Sequence, residues 1–185
     1  LLKFGEEARV RLAEFSLDGK ARKSMLNLVN RLEREGYRFE IAETAAVPEL
    51  LPRLRAISDA WLDGKKSREK RFSLGFFDEG YLRAGPVAIA RYRSEIVAFA
   101  NLWQGSDVEL SVDLMRYLPE SSNGLMDYLF IELMLWGRER GYQWFNLGMA
   151  PLAGLHNRGF APLWNRFGAL VFGGSFMYPE TTLDL

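Results

Sequence analysis

The stretch Leu125 to Arg140 constrains this chain most: it is a helix-length run, apolar around most of its circumference. Such a helix has to be covered on nearly every side. A bilayer does not supply that cover. The most apolar part, Leu125 to Trp136, is shorter than the ~18–20 residues a spanning helix needs, and Asp127 and Glu132 interrupt it. No other stretch comes closer. The run therefore calls for strands and further helices of the same chain to bury it.

The rest of the sequence offers those partners. Glu6 to Phe15 alternates loosely and reads as a strand. Asp18-Gly19 offers a helix start, and Met25, Leu28, Val29 and Leu32 give Lys20 to Glu35 an amphipathic helical period, closed by Gly36. Tyr37 to Glu43 reads as a strand, and Leu50 to Trp61, after Pro48, as a second helix. A polar loop, Asp63 to Arg71, and a turn-rich segment, 72–82, lead to three strands: Val87 to Tyr92, Ile96 to Trp103 and Val108 to Arg116. Arg93-Ser94-Glu95 is the turn between the first two. Ser121-Ser122-Asn123-Gly124 supplies capping chemistry for the apolar helix, and Tyr142 to Leu147 follows as a strand. The expected architecture is α/β (α+β), a mixed central sheet flanked by helices, as one domain over residues 1–185. This order resembles the GCN5-related N-acetyltransferase (GNAT) plan, in which a central strand enters a helix beside the acyl-donor site.

Composition removes several function classes. The chain has no cysteine and a single histidine, His156, in a polar loop. Disulfide frameworks, thiolate metal sites and multi-histidine metal sites are excluded, and a reducing setting is suited. The 24 basic residues balance the 24 acidic ones, so any nucleic-acid or membrane contact rests on local clusters. The opening Leu1-Leu2-Lys3 shows no signal pattern and reads as part of a longer protein, with any membrane anchor outside it.

The segment VELSVDLMRY (108–117) is the most informative chemically. Alternation places Leu110, Val112 and Leu114 on one face and Glu109, Ser111, Asp113 and Met115 on the other. Arg116 falls on the apolar face if the strand continues, so it is expected where the strand ends. From there Asp113 can bind an ammonium or accept a proton, and Arg116 can fork onto a phosphate. An ordinary structural ion pair is the competing reading. Acetyl-CoA enzymes of the GNAT plan place a glycine-rich loop before the helix, whose backbone N–H groups hold the pyrophosphate. Here residues 117–124 carry one glycine, Pro119 and Glu120, and Arg138-x-x-Gly141-x-Gln143 lies after the helix. Acetyl-CoA is therefore disfavoured as donor. Lys20, Arg22, Lys23, Arg31 and Arg34 on the first helix, with Lys65, Lys66, Arg68, Lys70 and Arg71 in the later loop, suit phosphate contacts without base readout; solvated charge is the alternative. Trp164, beside Asn165 and Arg166, can stack a base or serve the core.

Several segments together resemble the C-terminal domain of the aminoacyl-phosphatidylglycerol synthases, the multiple peptide resistance factor family. They are LDGKARKSMLNLVNRLEREGYRFEI (17–41), FSLGFFDEGYL (72–82), IVAFANLW (96–103), VELSVDLMRY (108–117), MDYLFIELMLWGRERGYQWFNLGMAPLAGL (126–155) and APLWNRFGALVF (161–172). The resemblance implies a catalytic domain of tandem GNAT-like folds behind an integral-membrane part, at the cytoplasmic face of a bacterial membrane. It implies transfer of lysine or alanine from aminoacyl-tRNA to phosphatidylglycerol, which alters lipid charge and resistance to cationic antimicrobial peptides. No metal and no cofactor is needed for that transfer. Asp113 and Arg116 match the family's catalytic "DLMR" element, and Glu69 is carried over as a third catalytic candidate. Lys20, Arg22, Lys23, Lys70, Arg138, Arg158, Asn165 and Arg166 are the substrate-binding candidates. After Phe172 the sequence departs from the family pattern, which continues into a basic element. The competing readings are an aminoacyl-tRNA-dependent transferase acting on an amine, and a module that binds tRNA or membrane without chemistry.

Overall fold

The computed structural model describes residues 5–65, 76–105 and 108–151. Strand β1 (Gly5–Arg11) ends in a 3-10 turn, Leu12–Glu14, where the sequence pattern suggested a strand continuing to Phe15. A second 3-10 turn, Lys20–Arg22, leads into helix α1 (Lys23–Glu35), which buries Met25, Val29 and Leu32. Gly36 ends it with φ 101°, the left-handed conformation that glycine adopts without a Cβ penalty. Then come β2 (Tyr37–Ala42), α2 (Val47–Lys65), the short helix α3 (Glu79–Leu82), β3 (Val87–Tyr92), β4 (Glu95–Asn101) and β5 (Trp103–Gly105). Strands β6 (Glu109–Ser111) and β7 (Met115–Tyr117) precede helix α4 (Leu125–Glu139) and β8 (Trp144–Pro151).

The strands form two four-stranded halves, β2-β3-β4-β7 and β1-β8-β6-β5. Every pairing is antiparallel except β6 with β8, so β1-β8-β6-β5 is a mixed sheet and β2-β3-β4-β7 an antiparallel one, where the sequence suggested a single mixed sheet. Two of the crossings between halves pass directly from strand to strand, at Leu102 and at Val112–Leu114, where the sequence suggested two unbroken strands. The buried Asn101 explains the second break. Its side-chain oxygen accepts from the backbone N–H of Leu114 at 2.8 Å and of Asp113 at 3.2 Å, replacing a strand partner with a side chain.

The half β2-β3-β4-β7 is covered on both faces, which is why its strands read as continuous apolar runs. Val87, Ile89, Phe99 and Leu114 meet Leu51, Leu54 and Ile57 of α2. On the other face Ala88, Ala90, Ala98 and Ala100 belong to the core shared with α1 and α4. Small residues there let the bulky face of α4, with Tyr128, Leu129 and Ile131, approach the sheet. At Gly137 the approach is closer still: a Cβ would meet Leu110 Cδ1 at 2.5 Å and Leu12 Cδ1 at 3.0 Å. The apolar helix is thus buried by its own chain. Among the described residues no helix is long and apolar enough to cross a membrane.

The capping expectation for 121–124 is corrected. The N-cap of α4 is Gly124, at φ 86° and without a side-chain cap. The Ser122 hydroxyl instead donates to Glu35 at 2.7 Å, and that bond, together with Arg31, holds the Glu35 carboxyl below the usual range.

Candidate active site

Asp113 sits in the break between β6 and β7, half-buried. One carboxylate oxygen accepts from the Leu114 backbone N–H at 2.6 Å, and the other accepts the Tyr81 hydroxyl. Tyr81 is itself fixed from two sides. The Asp78 carboxylate caps α3 by accepting its backbone N–H at 2.7 Å, and Arg55 of α2 ties the same helix down through Glu79 at 2.9 Å. Trp103 Nε1 donates to the Tyr81 oxygen at 2.7 Å, with the two rings 5.3 Å apart. Burial raises the Tyr81 pKa, and its bond to Asp113 raises it further, so the phenol stays protonated and donates. Trp103, Tyr81 and Asp113 form a directed chain of hydrogen bonds ending on a carboxylate. It borders a cleft of about 200 Å³ lined by Thr44, Tyr81, Pro86, Asn101, Trp103 and Gln104.

Arg116 lies elsewhere. It faces Phe99 in the β4–β7 register and is 8% exposed, so it occupies the buried parity inside a strand, where the pattern had suggested a strand end. Its guanidinium lies 4.3 Å from the Trp61 ring centroid and donates to the Met115 carbonyl at 2.9 Å. The flat cation is held on an aromatic face and screened from water. Among the described residues Asp113 and Arg116 form no ion pair with each other.

The basic residues of the first helix divide. Lys20 and Lys23 are exposed, whereas Arg22 lies 5.3 Å over the Phe15 ring. Arg31 is committed to Glu35 and the Asn123 carbonyl, and Arg34 to the Asn30 carbonyl. Arg138 donates to the Phe15 carbonyl at 2.6 Å, binding α4 to the turn after β1. Glu69, Lys70, Arg158, Asn165 and Arg166 lie outside the described residues, as do His156 and Trp164.

In the segment before α4, the backbone N–H groups of Ser121, Ser122 and Leu125 donate to Leu118 O, the Tyr37 hydroxyl and Ser122 O. Those donors are spent inside the protein. Beyond 109–111 and 144–146, where they pair in parallel, β6 and β8 part: the first path continues beside β4, the second beside β1. Asp113 occupies the parting strand.

Tyr81, Asn101 and Trp103 fall within the segments FSLGFFDEGYL and IVAFANLW, but sequence reasoning named none of them as a site residue. Asn101 left a signal, a polar residue closing the apolar run IVAFA. Tyr81 left none, since only the fold brings α3 across to a residue 32 positions away.

A central strand that breaks and parts from its parallel neighbour, then enters a buried helix, defines a domain of the GNAT-like acyltransferase fold. Residues 1–181 match the family model described as phosphatidylglycerol lysyltransferase, C-terminal, and the chain belongs to that family. It is 46% identical over 180 residues to the phosphatidylglycerol lysyltransferase of Bacillus subtilis (strain 168), covering 95% of this chain and 21% of that protein. The corresponding enzyme of Staphylococcus aureus (strain COL) is 37% identical over 172 residues, covering 92% and 20%. The chain therefore spans about one fifth of the length of these relatives. The solved structure of L-PGS from Bacillus licheniformis is similar with a TM-score of 0.78 at 42% identity, covering 89% of this chain and 55% of that one.

Proposed function

We infer that the protein carrying this domain transfers a lysyl group from lysyl-tRNA to a glycerol hydroxyl of phosphatidylglycerol. The relatives bear the name of a phosphatidylglycerol lysyltransferase over almost the whole of this chain. The observation that carries the site is the anchored carboxylate: Asp113, in a strand break, fixed by the Leu114 N–H and by Tyr81, which lines the cleft.

The reaction exchanges one ester for another. The lipid hydroxyl attacks the aminoacyl carbonyl, a tetrahedral oxyanion forms, and the tRNA ribose oxygen leaves and takes up a proton. The donor ester is already activated, so alignment, proton transfer and stabilisation of the oxyanion are the tasks left to the protein. Asp113 orients the attacking hydroxyl or the donor's α-ammonium and receives the proton in passing. Tyr81, its pKa raised by burial and by the bond to Asp113, keeps the carboxylate in one orientation. Arg116, held on Trp61, supplies a fixed positive charge on the α2 side of the same strand. Lys20 and Lys23 contribute to binding an anionic partner, whether the tRNA acceptor end or the membrane surface. Glu69, Lys70, Arg158, Asn165 and Arg166 remain candidates for the rest of the site. The reading places the domain at the cytoplasmic face of a bacterial membrane, where lysyl transfer lowers the negative charge of the lipid and raises resistance to cationic peptides.

Radiolabelled lysyl-tRNA offered to the full-length protein with phosphatidylglycerol vesicles tests this reading. Label should enter a lipid that releases lysine under mild base. Label that enters peptide or amine acceptors alone, or stays on tRNA, contradicts it.

A further inference from the structure

A second cleft, of about 190 Å³, adjoins the first, called the Asp113 cleft because its lining residues Tyr81 and Asn101 hold Asp113, and shares Pro86 and Gln104 with it. Glu43, Trp136, Arg140 and Tyr142 line its outer part. Its wall is a ladder of flat groups. The Trp136 and Tyr142 rings are stacked at 6.1 Å and 25°, and the Arg140 guanidinium lies 5.2 Å over Trp136. Gln104 Nε2 donates to the Tyr142 hydroxyl at 2.8 Å, which holds the bottom rung. The first cleft carries a second flat platform, Trp103 on Tyr81, with Trp103 46% exposed.

Flat faces spaced along a polar groove, with one guanidinium and amide or carboxylate groups beside them, fit an unpaired nucleotide strand better than a lipid. Bases stack on rings and guanidinium planes regardless of sequence, and their edges meet acceptors and amides such as Glu43 and Gln104. An acyl chain has no use for those groups.

We propose that the cleft of Trp136, Arg140 and Tyr142 binds the single-stranded 3′ end of the donor RNA, leading its terminal aminoacyl ester along Gln104 into the Asp113 cleft. This subsite rests on the reading above, which supplies an RNA-borne donor. The exposed Arg140 guanidinium, backed by Trp136, offers its outer face to a base of the unpaired end, and Trp103 receives the next one inward.

The test uses full-length protein in detergent, with the variants Trp136→Leu, Arg140→Gln and Trp136→Phe. Two quantities are read: KM for lysyl-tRNA and for phosphatidylglycerol, and the affinity for a fluorescein-labelled RNA hairpin with a 3′ CCA overhang against the same hairpin made blunt. Loss of a base–aromatic stack corresponds to about a 5- to 150-fold change. Trp136→Leu and Arg140→Gln should raise KM for lysyl-tRNA within that range, leave KM for phosphatidylglycerol unchanged and abolish the preference for the overhang. Trp136→Phe should keep most of both, which a merely structural tryptophan need not do. A rise in KM for the lipid alone gives the cleft to phosphatidylglycerol and overturns the proposal. So does unaltered binding and kinetics in both truncating variants. Overhang binding that depends on Trp136, in a wild-type protein making no lysyl lipid, upholds the cleft and removes the reaction; lysyl lipid made equally by all variants does the reverse.

Discussion

The Tyr81 hydroxyl donates to the Asp113 carboxylate while accepting from Trp103 Nε1. The tyrosine therefore has no freedom to turn, and neither has the carboxylate it holds. A hydrogen bond to a charged group contributes about 1.5–3 kcal/mol. Tyr81→Phe should lower kcat for lysyl transfer about 10- to 100-fold, with KM for either substrate little changed. In an Asp113→Ala background the same substitution should have almost no further effect, because the group it orients is gone. A double-mutant cycle on single-turnover rates checks this, and full additivity argues against the coupling.

Arg116 should prove sensitive to shape as well as charge. Arg116→Ala should reduce transfer at least ~100-fold, the scale of removing a charge-stabilising group. Arg116→Lys should restore little, since a lysine ammonium does not lie flat on Trp61 as a guanidinium does. Melting curves recorded alongside separate a folding defect from a missing charge. Recovery by lysine to near wild-type rates would count against the stacked geometry.

Of the helix cations, Lys20 and Lys23 stand exposed, whereas Arg22 covers Phe15. Replacing both lysines by glutamine should weaken binding to RNA or to anionic vesicles. The log–log salt slope should shrink by up to about 2, near 0.9 for each phosphate that a lysine no longer neutralises. Salt titrations on tRNA and on vesicles separately identify which partner this face serves. An unchanged slope on both makes the two lysines solvated surface.

Glu132 of α4 carries a pH signature. Burial, then the nearby Glu33 and Glu139 carboxylates, push its pKa up to about 7. The folded state thus holds a proton that the unfolded chain releases near pH 4.5. Stability from this group is full below about pH 4.5 and falls as pH rises towards 7, by at most ~1.4 kcal/mol per unit and less where water reaches the side chain. Glu132→Gln should flatten that decline and raise stability at pH 8. Urea unfolding at pH 5, 6.5 and 8 checks both statements, and parallel curves for the two proteins contradict them.

Gly137 marks where α4 is pressed against the sheet. Leu110 and Leu12 leave no room for a side chain there, and both are fully buried. Gly137→Val should cost about 1–3 kcal/mol of stability by overpacking. A thermal melt at or above the wild-type midpoint would show that the packing yields.

What the sequence made legible follows from local rules. The all-round apolar run at 125–140 required a buried helix, Gly36 required a helix end, and the apolar runs at 87–92 and 96–103 read as strands. Each depends on neighbours in the chain. The break at Val112–Leu114 was hidden because its cause, the Asn101 side chain, lies on another strand. The serines at 121–122 looked like caps because their chemistry suits that role, yet Glu35 and Tyr37, brought close by folding, claimed Ser122. Asp113 and Arg116 were expected together at a strand exit, whereas Asp113 lies in a strand break and Arg116 inside β7. Their division into a carboxylate held by Tyr81 and a guanidinium held by Trp61 was not legible, since α3 and α2 meet that part of the chain only in three dimensions.

The most direct test compares wild type and Asp113→Ala in the full-length protein, by single-turnover transfer from saturating lysyl-tRNA to phosphatidylglycerol. A carboxylate that positions the attacking hydroxyl or the donor ammonium predicts a fall of at least ~100-fold in the transfer rate, with folding and RNA affinity unchanged. A variant that folds normally and transfers lysine at near the wild-type rate would mean that the chemistry occurs away from the strand break.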